Sequence, residues 1–170
     1  DVSQHGEDVL VSDVSASSVD KVDPALVSSA SVGTLPTGTT IAQGSDRVIA
    51  INSTAGTVSG ALASEAGMVT SGAGTPVISD SPGLLATIGT DGAIHALSPS
   101  TGTLTTATAT ATAWATPTST ALTLSAGADA DLTAVGSKPI VLERGTGTIH
   151  LPGGTTVDLG ETGLALQQPG

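Results

Sequence analysis

A chain of 170 residues is long enough for one ordinary domain or for about three to five small repeat units. Its net charge of −11 argues against binding to nucleic acid or to an anionic membrane surface, because both contacts need Lys and Arg. The absence of Cys excludes disulfides, thiol catalysis and thiolate metal sites, and one Trp without Phe or Tyr cannot build a row of stacking faces for sugars or bases.

The composition predicts a folded all-β protein. Charged residues make up 11% of the chain, against the roughly 25% usual in globular domains, so hydroxyl side chains must cover the solvated faces. Thr and Val favour strands, whereas Gly and Ser favour turns. Only 61–67 shows the pattern of a helical turn. No apolar run approaches the roughly 20 residues of a membrane span, so we expect no membrane insertion within this segment.

Four hairpins are predicted along the chain, each with a short apolar strand, a tight turn and a second strand. The pairs Asp91-Gly92 and Thr146-Gly147 suit hairpin turns, because Gly adopts a positive φ at little cost. The predicted strand pairs are 9–13 with 19–23, 48–52 with 57–62, 84–89 with 93–97, and 140–144 with 148–151.

The hairpins belong to a longer repeat. Measured from Val19 through Val58 and Ile94 to Ile149, the spacings are 39, 36 and 55 residues. A Thr/Ala-rich insert at 105–120 accounts for the long last spacing. Further strands are predicted ahead of the hairpins at 39–43, 75–79 and 131–135, and after them at 103–106 and 155–159. A four-stranded propeller blade has about 40–50 residues, so each unit has the length and strand number of one blade.

We therefore expect an all-β fold of propeller-type repeats, with about four four-stranded antiparallel blades, either as a small ring or as a section of a larger one. The units are predicted at 1–36, 37–72, 73–127 and 128–170, the third with the insert at 105–120 and the fourth with a C-terminal tail. The Thr/Ala alternation of the insert favours an edge strand or a loop that Pro117 ends. The chain starts at Asp1 rather than Met, and we expect it to be a piece of a longer chain.

No pattern in the sequence predicts catalysis or a cofactor. The histidines His95 and His150 occupy equivalent positions in two different units. Equivalent positions of different units do not converge on one metal ion, which would need three or four ligands at one point. Glu143 and Arg144 point to opposite faces of a strand. A nucleophile elbow, a phosphate-binding loop and paired carboxylates are all absent from the sequence. We therefore predict that the chain is not an enzyme and that it binds no cofactor.

Two kinds of residue are candidates for binding. Asp13, Asp20, Asp129 and Asp131 could supply oxygen ligands to calcium, but none follows the spacing of a calcium loop, and turn capping explains them better. Trp114 lies alone in the insert. It is predicted to be either an anchor beneath a long outer strand or an exposed contact residue.

Three stretches of the sequence resemble the N-terminal propeller-like region of large actinobacterial surface proteins that carry Ig-like or fibronectin type III repeats. They are GTLPTGTTIAQGSDRVIAINSTAGTV (33–58), GTDGAIHALSPSTGTL (89–104) and KPIVLERGTGTIHLPGGTTVDLGETGLALQQPG (138–170). The resemblance implies an extracellular or cell-envelope setting and a scaffold or interaction role. It carries no catalytic motif, so no site residue is transferred.

These observations favour a structural or protein-interaction module of a secreted or cell-envelope protein. Its expected partners are another protein, other domains of the same parent chain, or a second copy of itself. Two alternatives stay open: a calcium- or carbohydrate-dependent adhesin domain, and a fragment of a secreted hydrolase.

Overall fold

The computed structural model describes residues 2–13, 15–70 and 75–160. The predicted C-terminal tail, at 161–170, lies outside the described residues. Sixteen strands form four antiparallel sheets of four strands each in this part of the chain. In every sheet the strands lie side by side in chain order, as in successive blades of a β-propeller. The predicted fold class is therefore confirmed.

The first two sheets cover the amino-terminal half. The first sheet contains β1 (Val2–His5), β2 (Asp8–Asp13), β3 (Ser18–Asp23) and β4 (Ser28–Thr34). The second contains β5 (Thr39–Gly44), β6 (Arg47–Asn52), β7 (Thr57–Leu62) and β8 (Ile78–Ser79). A 3-10 turn (Ala63–Glu65) and the helix α1 (Ala66–Thr70) separate β7 from β8, where the sequence predicted a helical turn.

The other two sheets follow the same plan. The third contains β9 (Leu85–Ile88), β10 (Ile94–Ser98), β11 (Thr103–Ala107) and β12 (Thr118–Ala121). The fourth contains β13 (Ala130–Val135), β14 (Lys138–Glu143), β15 (Thr148–His150) and β16 (Thr156–Asp158). Gly92 (φ 77°) and Gly147 (φ 68°) occupy the positive-φ positions that the hairpin pattern required.

The structure places one strand in a different unit from the sequence. Strand β8 was predicted to open the third unit, but Ile78 pairs with Val58 of the second sheet. The backbone N–H groups of Val77 and Asp80 donate to the carbonyl oxygens of Val58 and Gly56. The second sheet therefore extends to Ser79, and β12, which begins within the insert, is the fourth strand of the third sheet.

Three apolar cores join the sheets in sequence, one between each successive pair. Leu10, Val19 and Val48 are fully buried between the first and second sheets, with α1 against them. The largest core, between the second and third sheets, includes Ile49, Val58, Leu84, Ile88 and Ile94. Leu97, Leu132 and Val141 fill the third. None of the three cores in the described part of the chain joins the fourth sheet back to the first.

Candidate functional site

A cavity of about 510 Å³ lies along the innermost strands of the four sheets. The strands β1, β5, β9 and β13 lie side by side around it, and each is an edge strand of its own sheet. Its wall mixes apolar side chains with hydroxyl and amide groups. The volume falls within the range of about 300–1,000 Å³ that is typical of ligand sites.

Two buried polar side chains line this cavity without a hydrogen-bond partner among the described residues. The amide nitrogen and oxygen of Gln43 are both unpaired, and so is the hydroxyl of Thr87. Gln43 is 7% exposed and Thr87 is fully buried. Buried polar groups without partners are rare because each loses its hydrogen bonds to water. Neither residue was predicted from the sequence, since a single polar residue in an alternating strand suggests a solvated face.

Trp114 and the Thr/Ala insert are attached to the outside of the second and third sheets. The indole N–H donates to the carbonyl oxygen of Gly92 at 2.9 Å, and the ring packs against the largest core. Arg47 is 3% exposed, and its guanidinium lies 4.7 Å from the centre of the Trp114 ring. The same guanidinium donates to the carbonyl oxygens of Thr110 and Ala113. One buried cation thus binds both the backbone and the ring of the insert.

The two equivalent histidines lie in different environments between the third and fourth sheets. Nδ1 of His95 is 3.0 Å from the Thr106 hydroxyl, and burial lowers the pKa of His95, against an opposing effect of Asp91. Nε2 of His150 lies 3.5 Å from a carboxylate oxygen of Glu143. Hydrogen bonds from Ser125 are the main cause that lowers the pKa of Glu143. The two histidines thus do not share a site.

The carboxylates proposed for calcium are engaged in local contacts. Asp13 accepts hydrogen bonds from the Ser15 hydroxyl at 2.6 Å and from two backbone N–H groups, and these bonds lower its pKa. Asp129 and Asp131 lie 2.9 and 3.1 Å from the guanidinium of Arg144. Asp20 lies half-buried on the outer face of the first sheet. Within the described ranges, no three potential metal-ligating side chains converge.

The two ends of the row of sheets present apolar faces that none of the three cores includes. Alternation along β2 places Val9 and Val11 on the face opposite Leu10, with Val2 and Val22 as cross-strand neighbours. We call these four valines the first end face. The same alternation along β14 defines the fourth end face, which consists of Ile140, Ile149 and Val157; Leu142 lies on this face too but is only 1% exposed. Val2 is 69% exposed and Val157 is 40% exposed.

These features define a class of structure, a section of a β-propeller with an axial cavity and with apolar side chains on the outer faces of its first and fourth sheets. Similarity to a solved structure supports that class. The chain is similar to virginiamycin B lyase from Staphylococcus aureus, with a TM-score of 0.65 and 13% sequence identity. The match covers 92% of this chain and 53% of the lyase, so the chain spans about half the length of that protein. No family model and no curated sequence matches the chain.

The comparison corrects the prediction that the chain is not an enzyme. That prediction rested on the absence of catalytic motifs, but the propeller fold of this chain is also the fold of a lyase. A propeller can carry catalysis on side chains from separate strands, which no local sequence motif reveals. The fold is equally consistent with an interaction module.

In the described part of the chain, no helix is long and apolar enough to cross a membrane.

Proposed function

We propose that this chain is a propeller section that binds protein through its two end faces, and that each end face accepts a further four-stranded sheet. In the isolated chain, the partner is a second copy, whose fourth end face packs against the first end face. The observation that carries the proposal is the presence of apolar faces at both ends of the row, outside the three inter-sheet cores.

The register of the strands supports a sheet as the occupant. Each end face runs across neighbouring strands, so its apolar side chains can pack against a facing sheet, with Asp20 beside Val11 on the first sheet and Asp131 beside Leu142 on the fourth. The match to about half of a longer propeller supports the same occupant, since in such a ring every sheet has neighbours on both faces. Two copies joined head to tail at both ends would close one ring with twofold symmetry.

We also propose an extracellular or cell-envelope setting for the module. Support comes from its hydroxyl-rich, charge-poor composition and from the resemblance to the propeller-like region of actinobacterial surface proteins. In that setting, the other occupant of the end faces would be a sheet from another domain of the same parent chain. Fractionation of the source cells tests the setting, and recovery of the protein in the cytoplasm alone would contradict it.

Light scattering on a size-exclusion column tests the association. We expect a wild-type mass of twice one chain, and a monomer for Val11→Asp, because the new carboxylate would be buried directly opposite Asp20, a like charge. Val27→Asp is the matched control: Val27 is 91% exposed and lies in the turn between β3 and β4, outside the end face, so this variant should stay dimeric. A wild-type monomer at every concentration at which the chain is soluble would overturn the proposal.

A further inference from the structure

We propose that the interface between the third and fourth sheets opens in acid, and that a proton on His95 opens it. The fold would then contain a built-in pH-sensitive device that releases the fourth sheet while the first three stay packed together. This inference does not depend on the association of the end faces, because every group that it uses lies inside one chain.

The buried side chains that titrate near neutral pH are concentrated at this interface. Among the described residues, the buried charged residues and histidines are Arg47, His95, Glu143 and His150. His95 shares a face of the third sheet with Leu97, which belongs to the core against the fourth sheet. Glu143 and His150 share a face of the fourth sheet with Val141 of the same core. Arg47 lies elsewhere, and arginine stays protonated in proteins.

The same interface has the smallest of the three apolar cores. Its buried members are Leu97, Ala130, Leu132 and Val141, and four leucines that pack against them stay partly exposed. The core between the second and third sheets has ten buried members, and the core between the first and second has seven. Because hydrophobic stabilisation scales with the apolar area that is buried, the fourth sheet has the weakest attachment to its neighbour.

His95 is buried at this interface among uncharged groups. It is 2% exposed, and its Nε2 atom has no hydrogen-bond partner among the described residues. Its Nδ1 atom lies 3.0 Å from the Thr106 hydroxyl, and Thr87, directly opposite on β9, adds another hydroxyl. Burial lowers the pKa of His95, because an imidazolium ion there would lose its hydration. A proton on His95 therefore costs less free energy once water reaches the ring, so protonation favours the open interface.

Two charged residues act on His95, one from each sheet. Asp91, in the turn between β9 and β10, raises the pKa of His95, and so does the backbone of Ser137. Lys138, the first residue of β14, lowers that pKa. Both charged side chains belong to exposed residues, so neither compensates the buried ring for its lost hydration. A protonated His95 would repel Lys138 across the interface, and opening would relieve that repulsion.

The second histidine of the interface has a different partner. Nε2 of His150 lies 3.5 Å from Oε2 of Glu143, so a proton on His150 would have a carboxylate beside it. The backbone N–H of Ser125 donates to Oε1 of the same carboxylate at 3.3 Å. Hydrogen bonds from Ser125 lower the pKa of Glu143, so this carboxylate stays charged as the pH falls below about 6.5, where an accessible histidine takes up a proton. We therefore assign the acid response to His95.

Hydrogen exchange followed by NMR tests the proposal with two matched reporters. The backbone N–H of Thr90 donates to the carbonyl oxygen of Gly136 at 3.0 Å, across the interface between the third and fourth sheets. The N–H of Gly83 donates to Ser53 at 2.8 Å, between the second sheet and the segment that enters the third. Both donors belong to exposed residues. Relative to the intrinsic rate, exchange at Thr90 should rise by up to about tenfold per pH unit below about pH 6.5, and exchange at Gly83 by less than about twofold in total.

Four variants identify the group that responds to acid. His95→Gln should abolish the rise at Thr90, whereas the exposed control His5→Gln should keep it. Lys138→Met should reduce the rise, because it removes the repulsion across the interface. Asp91→Asn should enlarge the rise, because it removes the carboxylate that favours the protonated ring in the closed interface. The asparagine oxygen can still accept the hydrogen bond that Asp91 receives from the backbone N–H of Ala93.

Three results would overturn the inference. The first is the absence of any rise at Thr90 in the wild type at about pH 5, a pH well below the ordinary pKa of histidine. The second is an equal rise at Thr90 and Gly83, which would show that acid loosens the whole chain. The third is an unchanged rise in His95→Gln or, if that variant does not fold, the same rise in Lys138→Met and Asp91→Asn. Association of the end faces is measured by mass, so its failure would leave these outcomes unaffected.

Discussion

The contact between Arg47 and the Thr/Ala insert predicts that one substitution, Arg47→Met, weakens the attachment of the insert to β6 and lowers the free energy of unfolding. Arg47→Met keeps an unbranched stem and removes the guanidinium. That group donates to the carbonyl oxygens of Thr110 and Ala113 and lies 4.7 Å from the centre of the Trp114 ring. The variant therefore loses both of these hydrogen bonds and the contact with the ring.

The magnitude follows from these contacts. Hydrogen bonds from a charged donor contribute roughly 1.5–3 kcal/mol each, and a buried cation–π contact contributes about 1–2 kcal/mol. Desolvation of a buried cation offsets several kcal/mol of that gain. The carbonyl oxygen of Ala113 keeps a second bond, from the backbone N–H of Thr110 at 2.9 Å, so only one carbonyl loses its partner. We expect Arg47→Met to reduce the free energy of unfolding by about 2–3 kcal/mol.

Tryptophan fluorescence measures the local effect, because Trp114 is the only aromatic residue apart from the histidines. We expect Arg47→Met to shift the emission to longer wavelength and to increase quenching by acrylamide, while urea unfolding followed by circular dichroism gives the global loss. Arg47→Lys should give an intermediate result, since an ammonium group keeps the charge without the planar fork of donors.

The control for charge is Asp46→Asn. The carboxylate of Asp46 lies 3.7 Å from Nε of Arg47 but is 71% exposed, so its removal should change the stability by less than about 0.5 kcal/mol. Unchanged emission and quenching in a folded Arg47→Met protein would refute the reasoning, because they would show that the insert stays in place without the guanidinium.

Two further predictions concern a glycine and a histidine. A β-carbon at Gly60 would lie 2.5 Å from Cη2 of Trp114, so Gly60→Ala should displace the ring, shift its emission to longer wavelength and lower the free energy of unfolding by about 1–3 kcal/mol. A β-carbon at Gly145 would meet nothing within 4 Å, so Gly145→Ala should change neither the emission nor the stability. An equal loss of stability in both variants would contradict the steric explanation. Burial lowers the pKa of His95 below 6.5, so as the pH falls this histidine is protonated in the unfolded chain before it is protonated in the folded one. The free energy of unfolding should therefore fall as the pH decreases from about 6.5 to the pKa of the folded state, by at most about 1.4 kcal/mol per pH unit. Denaturation across that range should lose this slope in His95→Gln but keep it in the exposed control His5→Gln, and an unchanged slope in His95→Gln would contradict the assignment.

The sequence predicted the elements whose signals are local. Alternation and turn glycines identify β14 and β15 because Ile140, Val141 and Leu142 take opposite faces in turn and Gly147 adopts the required φ. Strand β8 was assigned to the wrong unit for a physical reason. A two-residue apolar strand carries no information about which neighbour it pairs with, and only the hydrogen bonds around Val58 decide it.

The site depended on relations that the sequence does not contain. Gln43 and Thr87 are separated along the chain by β6, β7, α1 and β8, and they line one cavity only because β5 and β9 are neighbouring innermost strands. Arg47 and Trp114 are also distant along the chain, and the fold alone brings them into contact. The three-dimensional arrangement of blades creates these pairs, so no short-range spacing predicts them.

The number of interfaces between end faces decides which assembly is favoured, and each interface between a first and a fourth end face is called a joint here. Full burial of an exposed valine or isoleucine contributes about 1.5–3 kcal/mol, so one joint between two partly covered faces gains roughly 6–10 kcal/mol. Association costs about 4–15 kcal/mol in lost translational and rotational freedom. One joint therefore leaves little surplus, whereas a ring of two copies gains two joints for one association cost. We expect only monomers and closed dimers in solution, and a ladder of longer open chains in the light-scattering experiment would show that the two joints do not close.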